Sequence, residues 1–480
     1  MEDLDVVVVG AGLSGVGAGC QLEIDCPNLS YAILEARDDL GGTWDLFRYP
    51  GVRSDSDMHT LGFGFRPWIG EDTIAAGGDI LEYIRTTAVE YGVDSHIRYR
   101  SRAVRANWDS ADERWTVTVE APDGASQRIS CRFLYLCTGY YNYDHGHCPD
   151  FPGQDDFAGL IVHPQQWPAN LDVADQRIIV IGSGATAVTL LPALVDRGAR
   201  VTMLQRSPTY IASLPSKDAS VGRLARVMSA ERAQKVVRWR NITMSAASYQ
   251  FSRRAPETMK KLLRRGVAKQ LPPGYDVDRD FTPSYDPWDQ RLCLAPDGDF
   301  FAAISSGRAN VVTGQIETFT TDGIRLTDGT ELTADIIVTA TGLDLLAGGG
   351  IILSVDDKDV VLSDTIGYKG MMLSGVPNMA IALGYTNASW TLKCELVSQY
   401  VCRLLNYMAE HGYHVATPQR PPSHEPTHPF IDLSSGYIQR SAAQLPRQGD
   451  RPPWRMYQNY FRDVRLMRKS PVTDEGMRFS

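Results

Sequence analysis

A chain of 480 residues, 43% hydrophobic and 22% charged, is too long for one small core and has the composition of a folded protein of two or three domains. Its formal net charge of -9 argues against nucleic acid as the main partner, because phosphate binding needs a basic face. Eight cysteines without a CxxC pair or metal-ligand spacing fit reduced thiols in a cytoplasmic protein and imply no metal.

The opening Met-Glu-Asp-Leu-Asp predicts no secretory leader, and no apolar run is long enough to span a bilayer. Asp5 to Val9 reads as a buried parallel strand. Gly10-Ala-Gly12-Leu-Ser14-Gly15 follows, opening a helix of small residues. Gly10 would make the tight turn, Gly12 would let backbone approach a pyrophosphate, and Gly15 would let helix and strand pack closely. A second strand, YAILE, ends at Glu35, 20 residues after Gly15, where a ribose-binding carboxylate belongs. A carboxylate there repels a 2′-phosphate, so the first site suits FAD or NAD rather than NADP.

Gly41 to Asp55, GGTWDLFRYPGVRSD, is too rich in Gly, Trp and Pro for a regular element; it can line an extended cofactor or form an Ω-loop packed by its own aromatics, and composition leaves both open. A helix is predicted over Asp79 to Tyr91, then alternating strands such as RWTVTVE, then a strand from Phe133 to Tyr141 that contains Thr138-Gly139. Phe157 to Pro168, FAGLIVHPQQWP, reads as the joint to a second nucleotide unit. In isolation His163 and Trp167 would be a satisfied hydrogen-bonding group and a packed ring. Their position between two cofactor motifs favours a coupling role.

RIIVIGSGATA then repeats strand, turn and helix, with Gly182-Ser183-Gly184-Ala185-Thr186-Ala187 as fingerprint and Ala187 in place of the third glycine. Its second strand ends Gln205-Arg206-Ser207, with Arg206 lying 19 residues after Ala187. Replacing the acid by a guanidinium and a hydroxyl is what a 2′-phosphate requires, so this site predicts NADPH. Asp218 to Gln270 reads as a basic, solvated helical insertion. Strands resume with ELTADIIVTATGLD, and the last 135 or so residues are expected to complete the first unit. His411, His414, His424 and His428 read as surface residues.

The expected fold is α/β: two dinucleotide-binding, Rossmann-like, doubly wound domains with a helical insertion. The boundaries read as 1–144 with 343–480 for the first unit, 145–212 with 292–342 for the second, and 213–291 for the insertion.

FAGLIVHPQQWP fits the pattern FxGxxxHxxxWP at every fixed position, and with the paired fingerprints and the GGTWDLFRYPGVRSD loop the chain resembles the type I Baeyer–Villiger monooxygenases. The flavin-containing monooxygenases that form N- and S-oxides share much of this pattern but usually lack the Trp-Pro ending. The resemblance implies that FAD meets Gly10, Gly12, Ser14 and Gly15 through its pyrophosphate and Glu35 through its ribose. Thr43, Trp44, Asp45 and Leu46 would lie along the flavin, with Arg53, Ser54 and Asp55 further along that loop and Ala103 near the adenine. Gly182 through Val188, with Gln205, Arg206 and Ser207, would hold NADPH. Arg291 would be the active-site arginine and Asp55 its acidic partner; many members have a lysine where this chain has Gln290. The implied activity is insertion of one atom of O2 into a ketone to give an ester or lactone, by way of an oxygen-activated flavin, with sulfides and thioamides as further substrates. The alternative is a monooxygenase restricted to S- or N-oxidation. A third reading is a flavin-dependent electron-transfer reductase; one acting on disulfides would need a redox cysteine pair near the flavin, which the sequence lacks. Peripheral membrane contact through the basic insertion is left open, as are the native substrate and the oligomeric state.

Overall fold

The computed structural model describes residues 1–290, 292–430, 440 and 445–480. Val6, Val7 and Val8 are 0% exposed in the second half of a strand Glu2–Val9, which is buried on both faces there, as a run without polar alternation requires. That strand pairs in parallel with Tyr31–Leu34 on one side and Ser126–Leu136 on the other. The sheet has nine strands and continues through Arg114–Glu120, Arg102–Asp109 and Ile352–Val355. Met379–Ile381 also pairs with Ser126–Leu136, so late chain returns to the first sheet. The helix Leu13–Asp25 lies against the long helix Trp390–His411, where the Trp390 indole donates to Ser14 Oγ at 2.8 Å.

The second sheet is parallel throughout, in the order Ala309–Thr313, Arg200–Gln205, Arg177–Ile181, Ile336–Thr339, Leu160–Val162. The expected pair of dinucleotide-binding sheets is therefore present. Within the span expected to be an insertion, 213–291, the described residues form four helices, Ala219–Ala225, Ala230–Arg254, Pro256–Ala268 and Val277–Phe281. All eight cysteines are free. Among the described residues no helix is long and apolar enough to cross a membrane, and no group of His, Cys, Asp and Glu is arranged to hold a metal.

Four local expectations change. The helix expected over Asp79 to Tyr91 spans Gly77–Glu90. The strand expected from Phe133 to Tyr141 stops at Leu136, and Tyr141–Gly146 forms a separate ribbon with Leu343–Leu345. The irregular Gly41 to Asp55 loop contains one helical turn, Thr43–Leu46. The insertion is not uniformly solvated: Arg238 is buried, donates to the carbonyls of His59 and Thr60 at 3.0 and 3.2 Å, and pairs with Glu395 at 3.0 Å. It satisfies carbonyls at the end of the short Met58–Leu61 helix, which have no partners within that helix.

Candidate active site

The first turn is built on backbone proximity. Gly10 has φ +100°, and a Cβ there would stand 2.6 Å from the Cys137 carbonyl oxygen. A Cβ on Gly15 would stand 1.7 Å from the Gly10 carbonyl oxygen, so only glycine lets the helix start here. Gly12 and Gly42 meet backbone to backbone: a Cβ on Gly42 would lie 3.0 Å from Gly12 Cα. The second strand then delivers Glu35, 5% exposed, whose two carboxylate oxygens accept from the amides of Ala11 at 2.8 Å and Arg37 at 2.9 Å. Burial pushes the Glu35 carboxyl up, and those two amides oppose the shift.

Glu35 lines a cavity of 120 Å³ with Gly10, Gly12, Ser101 and Ala103. A second cavity, of 240 Å³, is lined by Gly12, Ser14, Thr43, Trp44, Arg53 and Asp55. The two share Gly12, Cys137, Tyr141 and Tyr143, and so continue one another across the glycine turn. An acceptor carboxylate at one end, bare backbone in the middle and aromatic walls at the other match the ribose, pyrophosphate and isoalloxazine of FAD in order. The residues present fit the cofactor.

Several predicted residues stand behind this wall rather than in it. Asp45 is buried and holds Arg37 at 2.6 Å and also Arg48. Leu46 packs on the core of the second sheet. Ser54 is buried and bridges to the backbone of Ala75. Arg53 reaches across to Asp299, while one of its buried guanidinium nitrogens, Nη2, has no hydrogen-bond partner among the described residues. Asp55 is exposed at the cavity, where its Oδ1 accepts from Ser56 Oγ at 3.4 Å. Arg291 lies outside the described residues.

The second turn repeats the first with one relaxation. Gly182 has φ +127°, donates its N–H to the Leu204 carbonyl at 2.8 Å, and would place a Cβ 2.3 Å from the Ala340 carbonyl oxygen. Gly184 has nothing within 4 Å of its Cβ position, leaving its face open. The helix Ala185–Asp196 follows, with Ala187 and Val188 buried in the core beneath it. Ser183 Oγ donates to the Ser207 carbonyl at 3.3 Å, tying the turn to the end of the next strand. Arg206 and Ser207 are exposed there. Gln205 points the other way: it is 1% exposed, and its amide donates to Asp280 O at 2.8 Å and Thr313 Oγ1 at 2.9 Å. A strand-end residue alternates faces with its neighbour, so Gln205 enters the core where Arg206 leaves it.

Ala185, Thr186 and Thr189 line the flavin-side cavity with Ser14, Thr43 and Asp55. The two nucleotide motifs thus open on one space. Their contact is made by a feature that sequence reading passed over: Gly51, φ +77°, whose Cβ would lie 2.6 Å from Ala193 Cβ and 3.0 Å from the Thr189 carbonyl oxygen. Beside it Tyr49 bonds to Thr186 and its phenol is pushed up to about 12, chiefly by burial. The Tyr-Pro-Gly corner was the available signal.

Phe157 to Pro168 is less a linker than an edge of the second sheet, since Leu160–Val162 is a strand in it. His163 follows, its Nδ1 accepting from the Gln165 amide at 3.2 Å. A Cβ on Gly146 would lie 2.0 Å from His163 Cε1, so the ring packs against the ribbon that carries Tyr141 and Tyr143 into the cofactor cavity. Burial holds His163 below its ordinary value of 6.5. The unfolded chain then binds the extra proton first, so stability rises with pH through that window and is lost as pH falls below about 6.5. In melting curves between about pH 5 and 7, His163→Gln should flatten this slope; an unchanged slope would remove His163 as its source.

The family described as pyridine nucleotide-disulphide oxidoreductase matches residues 7–250. FAD-containing monooxygenase EthA of Mycobacterium tuberculosis is 54% identical over 480 residues, covering 100% of this chain and 98% of that protein. Among solved structures, OTEMO in complex with FAD and NADP is similar at a TM-score of 0.71 and 21% identity, covering 87% of this chain and 86% of that one. Oxidized steroid monooxygenase bound to NADP is similar at a TM-score of 0.73 and 23% identity, covering 88% of each. At that identity these two establish the fold.

Proposed function

We propose, from the premise that the chain belongs to the FAD-containing monooxygenases, that it is an FAD- and NADPH-dependent enzyme of Baeyer–Villiger type. The reaction is ketone + O2 + NADPH + H⁺ giving ester or lactone + NADP⁺ + H2O, and sulfides and thioamides are oxidised at sulfur. The observation that carries this reading is the shared cavity: the N-terminal turn of the second nucleotide helix lines the same space as the flavin loop. A hydride donor on one turn and an acceptor on the other can meet only if both open on one space. Bound FAD supplies the redox chemistry, accepting hydride and activating O2.

The chain's own contribution is to bind, orient and exclude water. Gly10, Gly12, Ser14 and Gly15 present bare backbone and a helix N-terminus to the pyrophosphate, and Glu35 accepts from the ribose. Thr43 and Trp44 line the flavin's place; Asp45, Leu46 and Ser54 fix the loop from behind, and Arg53 anchors it to Asp299. Arg206 and Ser207 take the 2′-phosphate, while Gln205 holds their strand end in register. Arg291 supplies the permanent cation that stabilises developing negative charge, and Asp55 orients it. His163 transmits the position of the second sheet to the cofactor wall. The division into 1–144 with 343–480, 145–212 with 292–342, and 213–291 belongs to the same proposal. Free thiols suit a cytoplasmic setting.

The test is to give purified enzyme NADPH, ¹⁸O2 and 2-octanone and to read products by mass spectrometry. One ¹⁸O in an ester supports the reading. Oxidation of thioanisole with no ester from any ketone would instead establish the S-oxidising alternative. Arg206→Ala should raise the KM for NADPH by roughly 10–100-fold, the worth of a charge-assisted phosphate contact, and leave the KM for NADH nearly unchanged. Equal effects on both cofactors would sink the phosphate assignment.

A further inference from the structure

Beyond the cofactor path lies a larger cavity, of 640 Å³, between the insertion and the C-terminal segment. Three arginines line it: Arg254 at the end of the Ala230–Arg254 helix, and Arg455 and Arg462 from the C-terminal segment. No Asp or Glu is among the described residues that line it. Arg253, next to Arg254 in the chain, is neutralised by Asp289. Arg254, Arg455 and Arg462 hold no carboxylate among the described residues, and Arg462 rests over the Tyr457 ring at 4.9 Å. In a chain of net charge -9, three guanidiniums without a counter-charge among the described residues, facing one space, are a local reversal of sign.

The walls of this space are tied together, although among the described residues no carboxylate ties the cations. Gln448, 2% exposed, donates to the Pro429 carbonyl at 2.8 Å and accepts from the Met456 amide at 3.0 Å. Gln458 accepts from the Thr386 amide at 3.0 Å, and its carbonyl accepts from Asn387 Nδ2 at 3.0 Å. Thr386 and Asn387 line this cavity, while Ala388 and Trp390, immediately after them, line the flavin-side one. Trp288 and Gln290 line it as well. One short run of chain therefore separates the arginine cavity from the place where oxygen is transferred.

We propose that this cavity binds an oxyanion at one end of the substrate, so that the preferred substrates are ketones or thioethers bearing a carboxylate or phosphate. The inference rests on the monooxygenase reading. Guanidinium forks match planar oxyanions in geometry as well as charge, and a cavity mouth of one sign raises local concentrations of the opposite one. The far end of the anchored chain then reaches past Asn387 toward the flavin.

The experiment compares 9-oxodecanoate with its methyl ester and with 2-decanone on the FAD-loaded enzyme. Wild type should show kcat/KM for the acid at least about tenfold above the ester, with the advantage shrinking as salt rises. Arg254→Gln, Arg455→Gln and Arg462→Gln should each lower the acid-to-ester ratio, and the triple variant should bring it to about one. A general loss of activity does not mimic a changed ratio. Binding is read separately by calorimetry with decanoate, decyl phosphate and 1-decanol; whichever oxyanion binds more tightly identifies the source of the charge. Oxidation of 2-decanone with an acid-to-ester ratio of one in wild type overturns the proposal and leaves the monooxygenase reading standing. Oxyanion binding lost in the triple variant, with no ketone oxidised, supports the anion site and overturns the Baeyer–Villiger reading instead. Equal binding of decanoate, decyl phosphate and 1-decanol overturns the site.

Discussion

Gly15→Ala should give a folded, colourless protein. The single added carbon would stand 1.7 Å from the Gly10 carbonyl oxygen, less than half of a normal contact, and that oxygen belongs to backbone. Gly10 cannot retreat, because its own position is set by φ +100°, by its N–H bond of 2.7 Å to the Leu34 carbonyl, and by the Cys137 carbonyl behind it. The helix must therefore shift outward at its first turn, where its amides would meet the cofactor pyrophosphate. We expect FAD affinity to fall by at least about 1,000-fold, equivalent to about 4 kcal/mol. Gly17→Ala on the same helix is the control: its Cβ would meet Phe63 Cε1 at 2.6 Å, a side chain of the core rather than the backbone of the phosphate turn. That variant should lose some stability and stay yellow. Wild-type flavin content in purified Gly15→Ala would contradict the role given to this turn.

The same glycines explain how much could be read without coordinates. A fingerprint is legible because backbone approach leaves only glycine at fixed spacing, and buried parallel strands are legible because nothing polar survives on either face. Glu35 and Arg206 were legible as a contrast in charge at equivalent strand ends. What sequence could not give was the direction of individual side chains. Gln205 sits between a buried leucine and an exposed arginine, and a one-residue change of face decides whether it meets a nucleotide or Asp280. Arg238 was lost in a basic helix, because no local pattern shows that three carbonyls and Glu395 wait for it across the chain. The Gly51 contact and the arginine cavity are likewise long-range: each joins segments more than a hundred residues apart.

That C-terminal wall depends on a buried ion pair, and breaking it should have the second large effect. Lys393 and Asp463 are each 1% exposed and meet at 2.8 Å; Tyr385 also donates to Asp463, at 2.7 Å, and Asp463 Oδ1 has no partner among the described residues. Asp463 lies in the short helix Tyr460–Val464, which also carries Arg462. Lys393→Met removes the cation and leaves a buried carboxylate with one hydroxyl to answer it, a change that costs about 3–5 kcal/mol. The lost free energy comes from desolvated charge rather than from the pair's own attraction. Removing both charges should therefore recover most of it: Lys393→Met with Asp463→Leu should fall short of wild type by only about 1 kcal/mol, the worth of the Tyr385 hydroxyl left without its acceptor. Denaturant unfolding of the FAD-saturated single and double variants measures the coupling. If the two single losses simply add, the pair is not acting as a buried salt bridge, and the C-terminal helix is held to Trp390–His411 by its apolar contacts alone.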